Sequence, residues 1–265
     1  MKITQISLPE DGSYHFYFIV SDWHSQYMNI GCYEILKKHI SMIPKEFRRL
    51  IILGDFLDCP HLMGKKADFK NMCKSTETLE ELSKVSEIEF LWGNNILDEL
   101  QYLFGWIYFV EGNHDWRYKN FINNWAPIAY AHNFDLKRNL KLEERGIPFI
   151  NYNDWLDIGN IALTHGMFHG ATHLKKHMEA CGKSTMYGHL HQADSKSFFF
   201  REQIKKAWSL PCMCDLNPEY IKNRDMNWSN GYGTMGMKSN GNFNIHIHEI
   251  FDGELILSDG TVLSE

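Results

Sequence analysis

The stretch VEGNHDWRYK, residues 110 to 119, sets Asn113, His114 and Asp115 behind a glycine at the end of the apolar run WIYFV. Four other apolar runs stop in a similar way. Asp22 and His24 follow FIV, Asp55 and Asp58 follow IIL, His165 follows IAL, and His189 and His191 follow TMY. If these endings meet, carboxylates and imidazoles crowd one place, where they repel or stay unsatisfied without a cation. Mixed Asp, Asn and His ligation suits Mn, Fe, Zn or Ni better than Ca or an all-thiolate zinc site. The supply of ligands exceeds the needs of one ion and points to two. Two divalent cations about 3.5–4 Å apart clamp the attacking and leaving oxygens of an in-line displacement at phosphorus.

The elements that must position these residues can be read from the hydrophobic pattern. Residues 14–20, 50–54, 106–112, 161–166 and 184–189 are short apolar runs of strand length. Between them, 25–40 carries Tyr27, Ile30, Ile35 and Leu36 at helical positions. A second helix is expected over 76–90, capped by Thr76, with Leu79, Leu82, Val85 and Ile88 on one face. NLKLEERG, ending at Gly146, reads as a helix with its stop. Strands alternating with helices argue for a layered α/β fold. In open α/β sheets the loops past the carboxyl ends of the strands share one edge, where ligands bind. The five polar endings are therefore expected to converge there.

The last third changes character. FNIHIHEI alternates, with Phe243, Ile245 and Ile247 on one face and His246 and His248 on the other. The dipeptides NG at 240–241 and DG at 252–253 and 259–260 are hairpin signals. Residues 196–265 are expected to be strand-rich and to complete a second sheet. Residues 59–105 form a mostly helical insertion, a candidate lid or partner surface. With no linker or repeat between the parts, 1–265 reads as one domain.

Bulk properties narrow the class. The chain has 265 residues, 44% hydrophobic and 23% charged, with net charge −6, which gives no broad basic footprint for nucleic acid. Six scattered cysteines without a C-x-x-C pair read as reduced thiols in a cytoplasmic setting. The first residues, MKITQISLPEDGSYHF, lack the pattern of a secretory signal, and no apolar stretch reaches membrane-spanning length.

Taken in order, D-x-H at Asp22, G-D-x-x-D at Gly54, G-N-H-D at Gly112, H-G at His165 and G-H-x-H at Gly188 resemble the calcineurin-like metallophosphoesterase family. Each block alone arises easily by chance; five in order, each behind a strand, are specific. The resemblance runs from Asp22 to His191. It implies a four-layer α/β/β/α sandwich of two mixed sheets flanked by helices, with a dinuclear metal site at the carboxyl ends of the strands. It implies that Asp22, His24 and His191 bind one metal, that Asn113, His165 and His189 bind a second, and that Asp55 bridges them. His114 would stand by the leaving group, oriented by Asp58. The implied cofactors are two divalent ions, manganese foremost, with Fe, Zn or Ni as alternatives. The implied reaction is phosphoester hydrolysis by a metal-bridging hydroxide.

The substrate is read from departures. Protein phosphatases of the family carry Arg after the second Asp of G-D-x-x-D, where this chain has Cys59 and Pro60. The motif order and strand-rich ending resemble the phosphodiesterase and nuclease branches more closely, including the exonucleases of double-strand-break repair. The expected partner is thus a phosphoester, with DNA, RNA and nucleotides as candidates, and no membrane. The acidic net charge weighs against a nuclease, although FRR (47–49), KKADFK (65–70) and RYK (117–119) could form a local basic stripe. A phosphomonoesterase of a small molecule and a metal-bearing, non-catalytic scaffold are the alternatives.

Further residues are candidates for substrate contact. Arg117 could meet non-reacting phosphate oxygens. Trp23 and Trp116, inside the ligand-bearing loops, could stack on an aromatic group. His169, His173 and His177 follow His165 at steps of four; His169 is read as a substrate or second-metal contact, the other two as a solvated or partner-facing stripe. His246 and His248 read as a surface face, and Cys212 and Cys214 as packing.

Overall fold

The computed structural model describes residues 1–10, 12–63, 75–125, 128–218 and 226–265. In chain order the strands are β1 (Ile3–Gln5), β2 (Tyr14–Val20), β3 (Arg48–Leu53), β4 (Trp106–Val110), β5 (Phe149–Ile150), β6 (Trp155–Ile158), β7 (Ile161–Thr164), β8 (Ser184–Tyr187), β9 (Asp194–Phe200), β10 (Gln203–Ser209), β11 (Asn230–Lys238), β12 (Phe243–Ile250), β13 (Glu254–Ile256) and β14 (Val262–Ser264). The helices are α1 (Ile30–Ser41), α2 (Thr76–Leu103), α3 (Trp116–Asn124), α4 (Leu136–Asn139) and α5 (His173–Cys181). One sheet runs β12-β11-β2-β3-β4-β5 and the other β1-β6-β7-β8-β10-β9. Both mix parallel and antiparallel pairs: β2, β3, β4 and β5 are parallel, as are β7, β8 and β10, and antiparallel strands flank them.

The continuous apolar character of β2 and β3 follows from burial on both faces. Tyr17, Ile19, Ile51 and Leu53 point into the core between the sheets, where they meet Leu156, Ile158, Leu163, Met186 and Met235. Phe18, Val20, Leu50 and Ile52 point the other way, into the core beneath α1 and α2. On the far side α5 packs Leu174 and Met178 against Tyr187 and Ala207 of the second sheet. The result is the expected four-layer order of helices, sheet, sheet, helix. Among the described residues no helix is long and apolar enough to cross a membrane.

Several elements differ from their predicted form. Strands β4, β7 and β8 each stop two residues early, at Val110, Thr164 and Tyr187, which leaves the polar endings in loops. Helix α2 has 28 residues, and its buried stripe includes Leu82, Ser86, Glu89, Phe90, Gly93, Leu97 and Leu100. Val85 and Ile88 are 45% and 70% exposed. Steps of three residues lag the helix by about 60° each, so a face drawn through Leu79, Leu82, Val85 and Ile88 swings about halfway round. Residues 25–27 form a 3₁₀ turn before α1, whose start is capped by Asn29 accepting from the Cys32 amide. Within NLKLEERG only Asn139 is helical, as the end of α4; turns follow up to Gly146, which has φ +65°.

The C-terminal segment divides between the sheets. β9 and β10 complete the second sheet, whereas β11 and β12 extend the first and β13 pairs only with β14. The three hairpin dipeptides do sit between β11 and β12, β12 and β13, and β13 and β14. Phe243, Ile245 and Ile247 pack on the inter-sheet core. His248 turns inward on the other face of β12, bonded to the Thr234 hydroxyl at 2.8 Å and packed edge-on against His39 of α1.

The expectation of a solvated stripe at His173 and His177 is overturned. α5 starts only at His173, and both imidazoles are buried against Tyr187. His173 Nδ1 lies 2.6 Å from the Tyr187 hydroxyl. His177 stacks on the Tyr187 ring at 3.6 Å, its Nε2 accepts from the Met167 amide at 2.9 Å, and its Nδ1 donates to the His173 carbonyl at 2.8 Å. Burial pulls the His177 pKa down to about 3. The folded chain keeps this ring neutral, while the unfolded chain protonates it below about pH 6.5. Its contribution to stability is therefore present above that pH and lost as pH falls toward the folded value. Urea midpoints measured from pH 7 to pH 4 are expected to fall, and to fall less steeply in His177→Gln; equal slopes would exclude this contribution.

Candidate metal centre

All five polar endings lie at the carboxyl ends of β2, β3, β4, β7 and β8. The loops there turn sharply. Asp22, His24, Asp55, His189 and His191 hold φ between +49° and +70°, in the left-handed region. Each such non-glycine residue costs of order 1–3 kcal/mol and persists only where the surroundings over-determine it. Backbone strain thus recurs at five of the seven residues proposed as ligands. Two motif glycines allow the loops to close. A Cβ on Gly112 would lie 2.1 Å from the Asp55 amide nitrogen, and one on Gly188 would lie 2.6 Å from Asp22 Oδ2.

The side chains form two groups that share Asp55. In the first, Asp22, His24 and Asp55 bring one ligand atom each within 4.8 Å of the others. His191 joins them, with Nε2 3.2 Å from His24 Nε2 and 3.1 Å from Asp22 Oδ1. In the second, Asp55, His165 and His189 meet in the same way. Asn113 Oδ1 stands 3.0 Å from His165 Nε2, which is 3.2 Å from Asp55 Oδ2. The outer bonds aim these groups. His24 Nδ1 is held by Asp58 Oδ1 at 2.8 Å, His165 Nδ1 by the Leu53 carbonyl at 2.9 Å, and Asp55 Oδ1 accepts the His114 amide at 2.8 Å. Ring nitrogens oriented in this way are typical of metal-binding histidines.

The donor set fits divalent cations. Asp22 Oδ1 is buried and, among the described residues, has no hydrogen-bond partner despite the nearby imidazole of His191. A buried carboxylate oxygen left without a hydrogen costs free energy that a cation would recover. Burial alone would raise the Asp55 pKa, but His165 and His114 hold it well below the usual carboxylate range. In turn, His165 rises to about 9: burial opposes its charge, and the Asp55 carboxylate outweighs burial. Protons shared among these groups are what a bound cation would displace.

Beside the ligands, His114 Nδ1 lies 2.8 Å from Asp58 Oδ1, so Asp58 serves His24 and His114 together. Arg117 donates to His114 Nε2 at 2.8 Å and to the Asp58 carbonyl. A pocket of about 430 Å³ opens over this cluster; Tyr27, Pro60, Met63, Arg117 and Trp228 are among its walls.

The substrate contacts expected from sequence fare unevenly. Arg117 reaches the pocket. His169 is exposed, with Nε2 3.2 Å from His189 Nε2. Trp23 does not reach it: the ring is fully buried between Tyr33 and Phe56, because its loop turns it under the sheet edge into the helix-side core. Trp116 opens α3 beside Tyr152 and does not line the pocket. Arg48 and Arg49 sit at the start of β3, the end opposite the ligands, and bond to the Ile43 and Glu46 carbonyls. Residues 65–70 lie outside the described residues.

Sequence reasoning missed several contributors. Asp115 has no role in the motif reading, yet its carboxylate takes the Leu57 and Gly112 amides, both at 2.9 Å, and so ties the β3 loop to the β4 loop. Burial and the Asp55 charge raise its pKa to about 7. Trp228 packs 4.1 Å from the His191 ring, and Cys214 Sγ lies 3.8 Å from His191 Nδ1. Glu89 sits on the buried stripe of α2, and an acid on an apolar face was the signal that could have found it.

A family model described as calcineurin-like phosphoesterase matches residues 17–210. Similar solved structures include Vps29 of Chaetomium thermophilum, 9% identical, covering 95% of this chain and 96% of that one, with TM-score 0.44. A putative diadenosine tetraphosphatase is 13% identical, with coverage of 95% and 99% and TM-score 0.40. A hypothetical protein, PH1004 of Pyrococcus horikoshii OT3, is 9% identical, with coverage of 88% and 87% and TM-score 0.38. At these values the likenesses bear on neither substrate nor activity. Among curated proteins, no sequence matches.

The close approach at Gly112 is testable without a substrate. Gly112→Ala is expected to weaken Mn²⁺ binding, measured by calorimetry, about 10-fold or more. Far-ultraviolet circular dichroism should stay unchanged. Unaltered affinity would mean that the Asp55 loop tolerates the methyl group.

Proposed function

We propose that this chain, which belongs to the calcineurin-like phosphoesterase family, hydrolyses phosphodiesters of nucleotide type with the help of two divalent cations. The observation that carries the reading is the pair of ligand groups sharing Asp55, with His114 beside them. Asp22, His24 and His191 would hold one cation, Asn113, His165 and His189 the other, and Asp55 both. Such cations, manganese foremost, supply an activated water and neutralise charge on phosphoryl oxygens.

The chain's own side chains do the rest. Asp58 fixes the tautomer and direction of His114 through Nδ1, leaving Nε2 toward the pocket. When a diester enters, Arg117 would turn from Nε2 to the substrate phosphate, and Nε2, freed from that donor, would take a proton from solvent and pass it to the leaving oxygen. Among the described pocket residues, Arg117 is the one fixed cation, which suits a monoanionic diester better than a dianionic monoester. Tyr27 and Trp228 offer aromatic surface for a base or other flat group beside the phosphate. Nuclease action on DNA or RNA is the polymer case of the same chemistry. A reduced, cytoplasmic setting, read from the scattered cysteines, belongs to the same proposal.

The test is a panel with Mn²⁺: bis-p-nitrophenyl phosphate, p-nitrophenyl phosphate, and labelled single- and double-stranded DNA. Turnover of diesters is expected, with Asp55→Asn reduced to background while its circular dichroism is unchanged. Monoester-only turnover would point to a phosphomonoesterase. Metal binding with no turnover would point to a scaffold. An active Asp55→Asn would refute the shared role of that carboxylate.

A further inference from the structure

Helix α2, within the 59–105 insertion, places a carboxylate beneath the centre. Glu89 is buried and makes four hydrogen bonds. Its Oε1 accepts from the Ser25 hydroxyl at 2.6 Å, the Asp58 amide at 2.8 Å and the Cys59 amide at 2.9 Å. Its Oε2 accepts from the Tyr118 hydroxyl at 2.9 Å. These donors come from three separate loops or elements. Ser25 follows His24 behind β2, Asp58 and Cys59 lie behind β3, and Tyr118 follows Arg117 on α3.

We infer that Glu89 is a positioning residue for the leaving-group side of the site, an inference that rests on the hydrolase reading. Asp58 can serve His24 and His114 at once only if its backbone is fixed, because one oxygen, Oδ1, receives both rings at 2.8 Å. The Asp58 amide is shared between Glu89 and the Ser25 hydroxyl. The next residue, Cys59, holds φ +53°, a strained conformation that its amide bond to Glu89 stabilises. Without the carboxylate, three buried amide or hydroxyl donors lose their acceptor, and the loop has no reason to keep that turn. Arg117, bonded to the Asp58 carbonyl and neighbouring Tyr118, would shift with it. Of the proposed metal ligands, Asp22, His165, His189 and Asn113 make none of these contacts, and only His24 shares the Asp58 carboxylate with His114. The effect should therefore fall on proton delivery by His114 more than on attack at phosphorus.

Leaving-group dependence separates this role from a merely structural one. The p-nitrophenyl ester of thymidine monophosphate expels a stable anion that needs no proton, whereas a dinucleotide expels an alkoxide that does. With Mn²⁺, Glu89→Leu is expected to lower kcat on the dinucleotide about 100-fold and on the p-nitrophenyl ester less than about 5-fold, with KM nearly unchanged. Glu89→Gln keeps an acceptor oxygen and should restore both rates to within about 3-fold. If Glu89→Leu does not fold, Ser25→Ala removes one limb of the same bracket and should show the same selectivity. Equal losses on both esters, or no loss, would overturn the inference. An independent readout needs no substrate: the imidazole Nδ1–H signals of His24 and His114 in NMR should move in Glu89→Leu and return in Glu89→Gln. Unmoved signals overturn the inference, whatever the activity. Signals that move in Glu89→Leu, together with a wild-type chain that cleaves neither ester, support the positioning role and sink only the hydrolase reading.

Discussion

A buried carboxylate between two sets of imidazoles is the constraint on which the remainder of this structure depends. Asp55 is 1% exposed and lies within 3.9 Å of His24, His114 and His165. Neither its charge nor the lone pairs around it are stable in a low-dielectric interior without a cation or a proton to neutralise them. The two mixed sheets bring parallel strand ends from both sides to this point. The core between the sheets, from Tyr17 to Met235, keeps those ends from drifting apart. Rigid strands end at this point, and the short loops after them, which carry the proposed ligands, need only one turn each to aim a side chain.

Those turns have a cost, and the cost is offset locally. Five of the seven proposed ligands sit at positive φ. Glycines at the neighbouring positions let the loops approach within distances that no side chain would permit. Buried carboxylates then tie loop to loop: Asp115 joins β3 to β4, and Glu89 joins β2, β3 and α3. The same chemistry thus appears twice. Some acids face the proposed cation sites, and others, one layer behind, accept backbone amides and hold the first set in place.

Helix α2 shows how an insertion becomes part of the machinery. Its stripe of Leu82, Phe90, Leu97 and Leu100 fills the helix-side core, which leaves Glu89 no exit to solvent. A carboxylate in that position is tolerable only because four donors converge on it. Apolar packing and polar satisfaction therefore fix the same helix at the same depth. Among the described residues the pocket above has aromatic and apolar walls at Tyr27, Pro60, Met63 and Trp228 and a single guanidinium, that of Arg117.

The sequence by itself determined the strands behind the five motifs and the layered class, and it marked the candidate ligands that the fold brings together. Runs such as YHFYFIV can satisfy a period-two pattern only when both faces are buried, and Asp, Asn and His at five strand ends have few chemical uses other than metal binding. What sequence could not decide was direction in space. Trp23, His173 and His177 each looked like exposed candidates, yet the turn of a loop and the late start of α5 put all three inside. The buried face of α2 was misplaced because steps of three residues drift around a helix, and only its neighbours select the stripe. Glu89 could be noticed as an acid on an apolar helix face but not placed at the site, for a similar reason. Its partners are 29 to 64 residues away in the chain, and a contact made by three loops at once exists only when the tertiary fold has assembled them.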